Sequence, residues 1–230
     1  MSLTRVTIAA MPAVESVRAA QPTKVTDRRT AQREDTRARL FTETVEEFKR
    51  CGFAGTEIAA ITERVGLTRG AFYVHFAGKD AVLRELLLIE ERRIAAAALV
   101  VSEHSGSVEE VFAAVVKAVL SAERRLGRRL VRDLCAGQFR PEVAQSQDVA
   151  DHPVGLMLVG VIAQRVPEVD AVDLAMTFLT GMFGLLAIED APLAARRRRL
   201  DLLVRIASQA AIATEAGLNR SDPSLNRSFT

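Results

Sequence analysis

The 230-residue chain has no tryptophan, one tyrosine and only 5% aromatic residues, while alanine, leucine, valine and arginine recur throughout. That balance belongs to helices, and no alternating strand pattern or internal repeat appears. The only two cysteines, Cys51 and Cys135, lie far apart in helical patterns. Buried free thiols are therefore favoured over a disulfide, in keeping with a reducing compartment. The three histidines, His75, His104 and His152, are scattered, and no His or Cys spacing suits a metal. Nucleotide-cradling glycine loops and Ser or Cys nucleophile turns are missing too. We therefore expect no catalytic residue, no metal and no cofactor, which leaves a helical enzyme with a scattered site as the only enzymatic alternative. The longest clean apolar runs, such as residues 94–101, fall far short of a bilayer span, and the opening MSLTRVTIAAMPAVESVRAA lacks a signal-peptide core. A cytoplasmic protein without a membrane partner is expected. The net charge of +2 is too small to signal a nucleic-acid partner by itself.

What the chain does have is a telling local string, TEIAAITERVGLTRGAFYVHFAGK, at residues 56–79. Thr56 can cap a helix whose Ile58, Ile61 and Val65 share one face. Gly66 follows where the chain must turn sharply, a place for a residue free to adopt positive φ. Leu67 plugs the corner and Thr68 caps a second, short helix from Arg69 to Val74 or His75. Its exposed positions carry Thr68, Arg69, Gly70, Tyr73 and His75, and Lys79 opens the next helix. These groups can donate to phosphates or base edges, and the glycine admits close backbone approach. A glycine between two amphipathic helices is common in any bundle, so the weight rests on the string as a whole.

This string resembles the TetR (tetracycline-repressor-like) family of one-component bacterial regulators. The carrying residues are Ile61-Thr62, Val65-Gly66-Leu67-Thr68-Arg69-Gly70, Phe72-Tyr73-Val74-His75-Phe76 and Lys79-Asp80, with Thr62 standing where the family usually has alanine. The resemblance implies a helix-turn-helix DNA-binding head on a larger helical domain for ligand binding and dimerisation. It also implies a homodimer through the last two long helices, whose two heads read a near-palindromic operator in double-stranded DNA. Carried over residue by residue, the DNA-facing set is Thr56, Thr68, Arg69, Gly70, Phe72, Tyr73, His75 and Lys79. Arg69 would contact a base, and Phe72 would either pack in the head or touch DNA. Ligand binding would move the long helix after Lys79 and spoil the spacing of the two heads.

The rest of the sequence yields an all-α reading with about nine helices. Residues 1–33 read as a disordered basic extension, either a solubilising leader or an arm along the phosphates. Its cations are Arg5, Arg18, Lys24, Arg28, Arg29 and Arg33. Residues 34–80 form the head, whose first helix begins near Glu34 to Thr36, buries Leu40, Phe41, Val45 and Phe48, and stops at Gly52. Residues 81–216 form the ligand-binding and dimerisation domain, and residues 217–230 a polar tail. Within the larger domain we expect helices at 80–103, from Ser107 onward, 123–139, 154–166, 170–188 and 193–216. Glu85, Glu90, Glu91, Arg92 and Arg93 should form the polar side of the first of these. The segment 172–188 is apolar nearly all round and should be buried on every side.

Candidates for a small-molecule effector site are Phe112, Cys135, Gln138, Phe139, His152, Met157, Phe178 and Met182, although Met and Phe at helical spacing also serve as plain core. Arg124, Arg125, Arg128, Arg129 and Arg132 suggest an anionic ligand or simply a solvated face, and Arg196 to Arg199 a solvated helix start. The function expected is a ligand-responsive regulator, a repressor more often than an activator, released from its operator by a largely apolar effector. The alternative is a helical ligand-binding dimer without DNA binding.

Overall fold

The computed structural model describes residues 24–104, 107–140, 152–167, 169–188 and 191–218. The fold is all-α, with nine helices and no strand among the described residues: α1 Lys24–Gly55, α2 Ile58–Arg64, α3 Arg69–His75, α4 Lys79–His104, α5 Val108–Leu126, α6 Arg128–Gly137, α7 Pro153–Arg165, α8 Ala171–Ile188 and α9 Leu193–Leu218. The chain divides into two compact units, Met1–Ala38 and Arg39–Thr230. In the first, helix α1 begins at Lys24, ten residues before the expected start, so residues 24–33 are helical rather than part of a disordered extension. Arg28, Arg29 and Arg33 are exposed there, while Arg5 and Arg18 lie outside the described residues, as does most of the polar tail.

In the second unit, Leu40, Val45 and Phe48 of α1 meet Ile61, Phe72 and Phe76 in one core. Gly52 leaves the helical region at φ 75°, where a side chain would be strained, and Phe53 folds back to within 5.7 Å of the Phe48 ring. The expected stop of the first helix is thus present as a sharp kink. Glu47, one turn before that kink, is buried. Burial pushes its carboxyl up, but hydrogen bonds from Arg50, Arg64 and Cys51 outweigh it and hold the group below its ordinary value. Because Arg64 belongs to α2 and also reaches Glu43 at 2.7 Å, this polar knot ties α1 to α2.

The larger helices continue that core. Helix α4 packs on α5 and α7, and α8 packs on α6, α7 and α9. Ser107 caps α5 by accepting from the Glu109 N–H at 3.1 Å, and Val111, Phe112, Val115, Val116 and Val119 line its buried face. The expected single basic helix over 123–139 is broken: α5 ends at Leu126, Gly127 takes φ 84°, and α6 starts afresh at Arg128. Arg196 is not solvated, since its guanidinium is buried and donates to both oxygens of Glu123 at 2.8 and 2.6 Å, fastening α9 to α5.

Helix α8 is long and apolar enough to cross a membrane, yet only 33% of that span is buried within the protomer. The expectation that it is buried on all sides therefore fails for the single chain. Val172 and Ile188 are exposed on it, and on the neighbouring α9 so are Leu202, Ile206 and Ile212. A groove lined by Gly181, Gly184, Leu185, Ile188 and Leu203, with Arg199 as its one charged residue, runs between the two helices.

Candidate nucleic-acid interface and effector cavity

The helix-turn-helix is built by short-range hydrogen bonds. The Leu67 N–H reaches back to the Thr62 carbonyl at 2.8 Å, and Gly66 adopts φ 69°, which reverses the chain after α2. Thr62 is buried at the helix crossing with its hydroxyl satisfied by the Ile58 and Ala59 carbonyls of its own helix, so it fits where alanine is usual in the resembled family. Thr68 caps α3 by accepting from the Ala71 N–H at 3.2 Å. Arg39, from α1, donates to the Val65 carbonyl at 3.1 Å and closes the end of α2.

Phe72 anchors α3. It is fully buried, 5.6 Å from the Phe76 ring, and Tyr73 stands edge-on to it at 5.8 Å. Phe72 is therefore a core residue and not a DNA-facing one. With that side of α3 fixed inward, Arg69, Gly70, Tyr73 and Val74 project outward on one face. Arg69 makes no hydrogen bond or ion pair among the described residues, and its long guanidinium fork is available. Val74, 64% exposed, was absent from the expected DNA-facing set and is an aliphatic tip on this face; such a group suits a thymine methyl. His75 is half-buried at the end of the helix.

Two expected phosphate contacts have other occupations. The Thr56 side chain is buried and donates to the Gly52 carbonyl at 2.8 Å; the cap position of α2 falls on Glu57, with no side-chain bond. The Lys79 ammonium donates to the carbonyls of Phe53 at 2.8 Å, Thr56 at 3.2 Å and Ala54 at 3.4 Å, and stands 4.7 Å from the centre of the Phe53 ring. It compensates the carbonyl end of α1 instead of reaching outward. Around it, Thr56, Glu57, Arg69, Tyr73, Gly78 and Lys79 line an open hollow at the first turns of α2 and α4.

Behind the head, α4, α5, α6, α7 and α8 enclose a cavity of about 40 Å³. Of the expected effector residues, Cys135 and Met182 line it. Phe112 and Phe178 stack on each other at 4.3 Å as filled core, Met157 is half-buried against that core, and Gln138 is buried without lining the cavity. Phe139 is 48% exposed and turned outward, so it is not a cavity residue. His152 sits behind the wall with Nδ1 3.0 Å from Glu91 Oε1.

Glu90 and Glu91 depart most from expectation. Both are buried in the cavity wall rather than on the polar side of α4. Glu90 is held by Arg93 at 2.6 Å and Arg125 at 2.5 Å. None of the five arginines of residues 124–132 lines the cavity, and Arg124 turns instead to Ser121 at 2.6 Å.

Helix α6 touches both regions. Val131, Leu134 and Cys135 face the cavity, while Asp133 accepts the Phe53 N–H of the head at 2.8 Å. Just past its end, the Arg140 guanidinium lies 4.7 Å from the centre of the Phe53 ring and pairs with Asp80 at 2.7 Å.

Residues 40–86 match the profile of the family described as bacterial regulatory proteins, tetR family. Among solved structures, a candidate TetR-family transcriptional regulator from Mesorhizobium loti shares 14% identity at a TM-score of 0.55, over 78% of this chain and 98% of the other. A candidate transcriptional regulator from Pseudomonas aeruginosa shares 24% identity over 82% and 92% of the two chains, at a TM-score of 0.48. No curated protein matches the chain. Residues 40–86 thus resemble the head of the tetR family of bacterial regulatory proteins, and the all-helical fold is shared with the Mesorhizobium loti structure.

Proposed function

We propose that the protein is a homodimeric, ligand-responsive repressor of the cytoplasm that leaves a near-palindromic operator when a small effector enters the cavity. The carrying observation is the orientation of α3: with Phe72 locked in the core, Arg69, Gly70, Tyr73 and Val74 are directed outward together. Arg69 reads a base, its fork matching guanine O6 and N7, while Val74 meets a methyl group. Thr68, Tyr73 and His75 hold phosphates, and Lys79 acts by keeping the turn before α2 in shape.

The dimer forms through α8 and α9. Their exposed Val172, Ile188, Leu202, Ile206 and Ile212, together with the groove between the helices, make an apolar surface that a second copy would cover. A partner also accounts for an α8 that is apolar along its length yet only 33% buried within the single chain. The effector signal runs through α6, which lines the cavity on one side and bonds to Phe53 on the other.

The test is selection of bound genomic fragments by the purified protein, with Arg69→Ala and Tyr73→Ala in parallel. Recovery of a near-palindromic site by the wild type alone supports the reading. No enrichment by the wild type in moderate salt would overturn it in favour of a ligand-binding dimer without DNA binding.

A further inference from the structure

Outside the internal cavity, α4 and α5 frame a surface cleft of about 270 Å³. Its walls are two stripes at helical spacing, Arg93, Ala97 and Val101 along α4 and Lys117, Ser121 and Arg125 along α5. Among the described residues, three cations and no acid line it. Arg93 and Arg125 reach one carboxylate from the two helices: the buried Glu90 accepts from Arg93 on Oε1 at 2.6 Å and from Arg125 on Oε2 at 2.5 Å. One negative charge therefore fixes two guanidinium forks and leaves donors on both unspent, while Lys117 makes no ion pair among the described residues. We propose that this cleft binds a small organic anion, a carboxylate on an alkyl chain. Its oxygens lie among Arg93, Lys117 and Arg125, and its chain runs along Ala97, Val101 and Ala118.

Charge and shape select that class together. Three cations against the single carboxylate of Glu90 leave an excess of positive charge, so an ammonium ligand would be repelled and an anion drawn in. Because Glu90 already holds Arg93 and Arg125, a ligand need not order those long side chains itself. Charge-assisted hydrogen bonds to a carboxylate are the strong kind, and guanidinium forks match its two oxygens. Ser121 accepts from Arg124 at 2.6 Å, which leaves its own hydroxyl proton free to serve the same anion. The rest of the wall is apolar: Ala97 and Ala118 stop at Cβ, and Val101 adds two methyl groups, so there is room for a hydrocarbon chain. A bare anion would leave that wall wet, and a polyanion such as DNA would use the cations without the wall.

The experiment is calorimetric titration of the full chain with octanoate, n-octylamine and acetate, all below micelle-forming concentrations, which separates headgroup from tail. Octanoate should bind at least about tenfold more tightly than either of the others, and less tightly as salt is raised. Lys117→Glu, at an exposed position, should weaken octanoate by about tenfold. Ala97→Trp, which fills the cleft from its exposed wall, should abolish binding, and melting curves check that both variants fold. No octanoate binding, equal binding of octanoate with octylamine or with acetate, or octanoate binding undiminished in either folded variant would overturn the proposal. Binding undiminished in both would place the ligand in the internal cavity instead. If one variant does not fold, the other decides. No DNA enters these titrations, so their outcome is independent of the regulator reading.

Discussion

Asp133 of α6 accepts a hydrogen bond from the Phe53 backbone N–H at 2.8 Å, joining residues 80 positions apart in sequence. Three residues of α6, Val131, Leu134 and Cys135, face the cavity, so the helix that lines the cavity also holds the turn on which the head is mounted. The sequence reading gave this task to α4 alone. Helix α4 does run from the head to the cavity, but α6 supplies a second connection.

Asp133→Ala should therefore uncouple the two regions. Operator affinity should stay within a few-fold of wild type, while the ligand concentration needed to release DNA rises or release fails altogether. Release curves for both proteins on one DNA fragment check this. Unchanged release would show that α4 suffices.

On the recognition helix, Arg69→Ala and Phe72→Ala should fail for different reasons. Arg69→Ala should cost about 1–3 kcal/mol on the preferred site, relax its sequence preference and leave the melting temperature unaltered. Phe72→Ala removes a fully buried ring and should destabilise the head by about 3–5 kcal/mol. Melting curves alongside binding to specific and random DNA separate the two. Equal losses on both DNAs for Arg69→Ala would refute base reading.

Acid should loosen the head through Glu47. Its carboxyl lies below the ordinary value of 4.5 in the folded protein, so the unfolded chain binds the proton more readily. The stabilisation is thus complete above the ordinary carboxylate range and fades as pH falls through and below it. Glu47→Gln should melt lower than wild type near neutral pH, and the gap should close in acid. A gap that widens on acidification would contradict the assignment.

For the proposed dimer, Ile206→Glu places a charge on an exposed apolar position of α9. Sedimentation should change from dimer to monomer, and operator binding should weaken strongly because two half-sites are no longer held by one particle. A monomeric wild type would remove the basis for a two-fold operator.

The head was readable in sequence because its signals are local. Gly66, Thr68 and the Ile58–Ile61–Val65 spacing act within one or two turns, and the structure has the turn, the cap and the short helix they imply. The buried acids were harder to see. Glu90 and Glu91 follow Leu86 and Leu87 by four residues and precede Ile94, so they lie on the apolar stripe of α4; their charge alone placed them on the polar side. Arg196 was hidden in the same way inside a run of arginines, since only the folded chain brings Glu123 to it. Phe139 shows the opposite error, an aromatic read as lining that the turn after α6 directs outward.

The joint around Phe53 has a mechanical meaning. One ring carries the Lys79 ammonium and the Arg140 guanidinium, each 4.7 Å from its centre, and one N–H reaches Asp133. Such contacts are short-ranged and individually worth about 0.5–2 kcal/mol. A tilt of the head would have to exchange these few contacts. The work required would be of the size that one small molecule could supply if, as proposed, it favours one posture of the head over another.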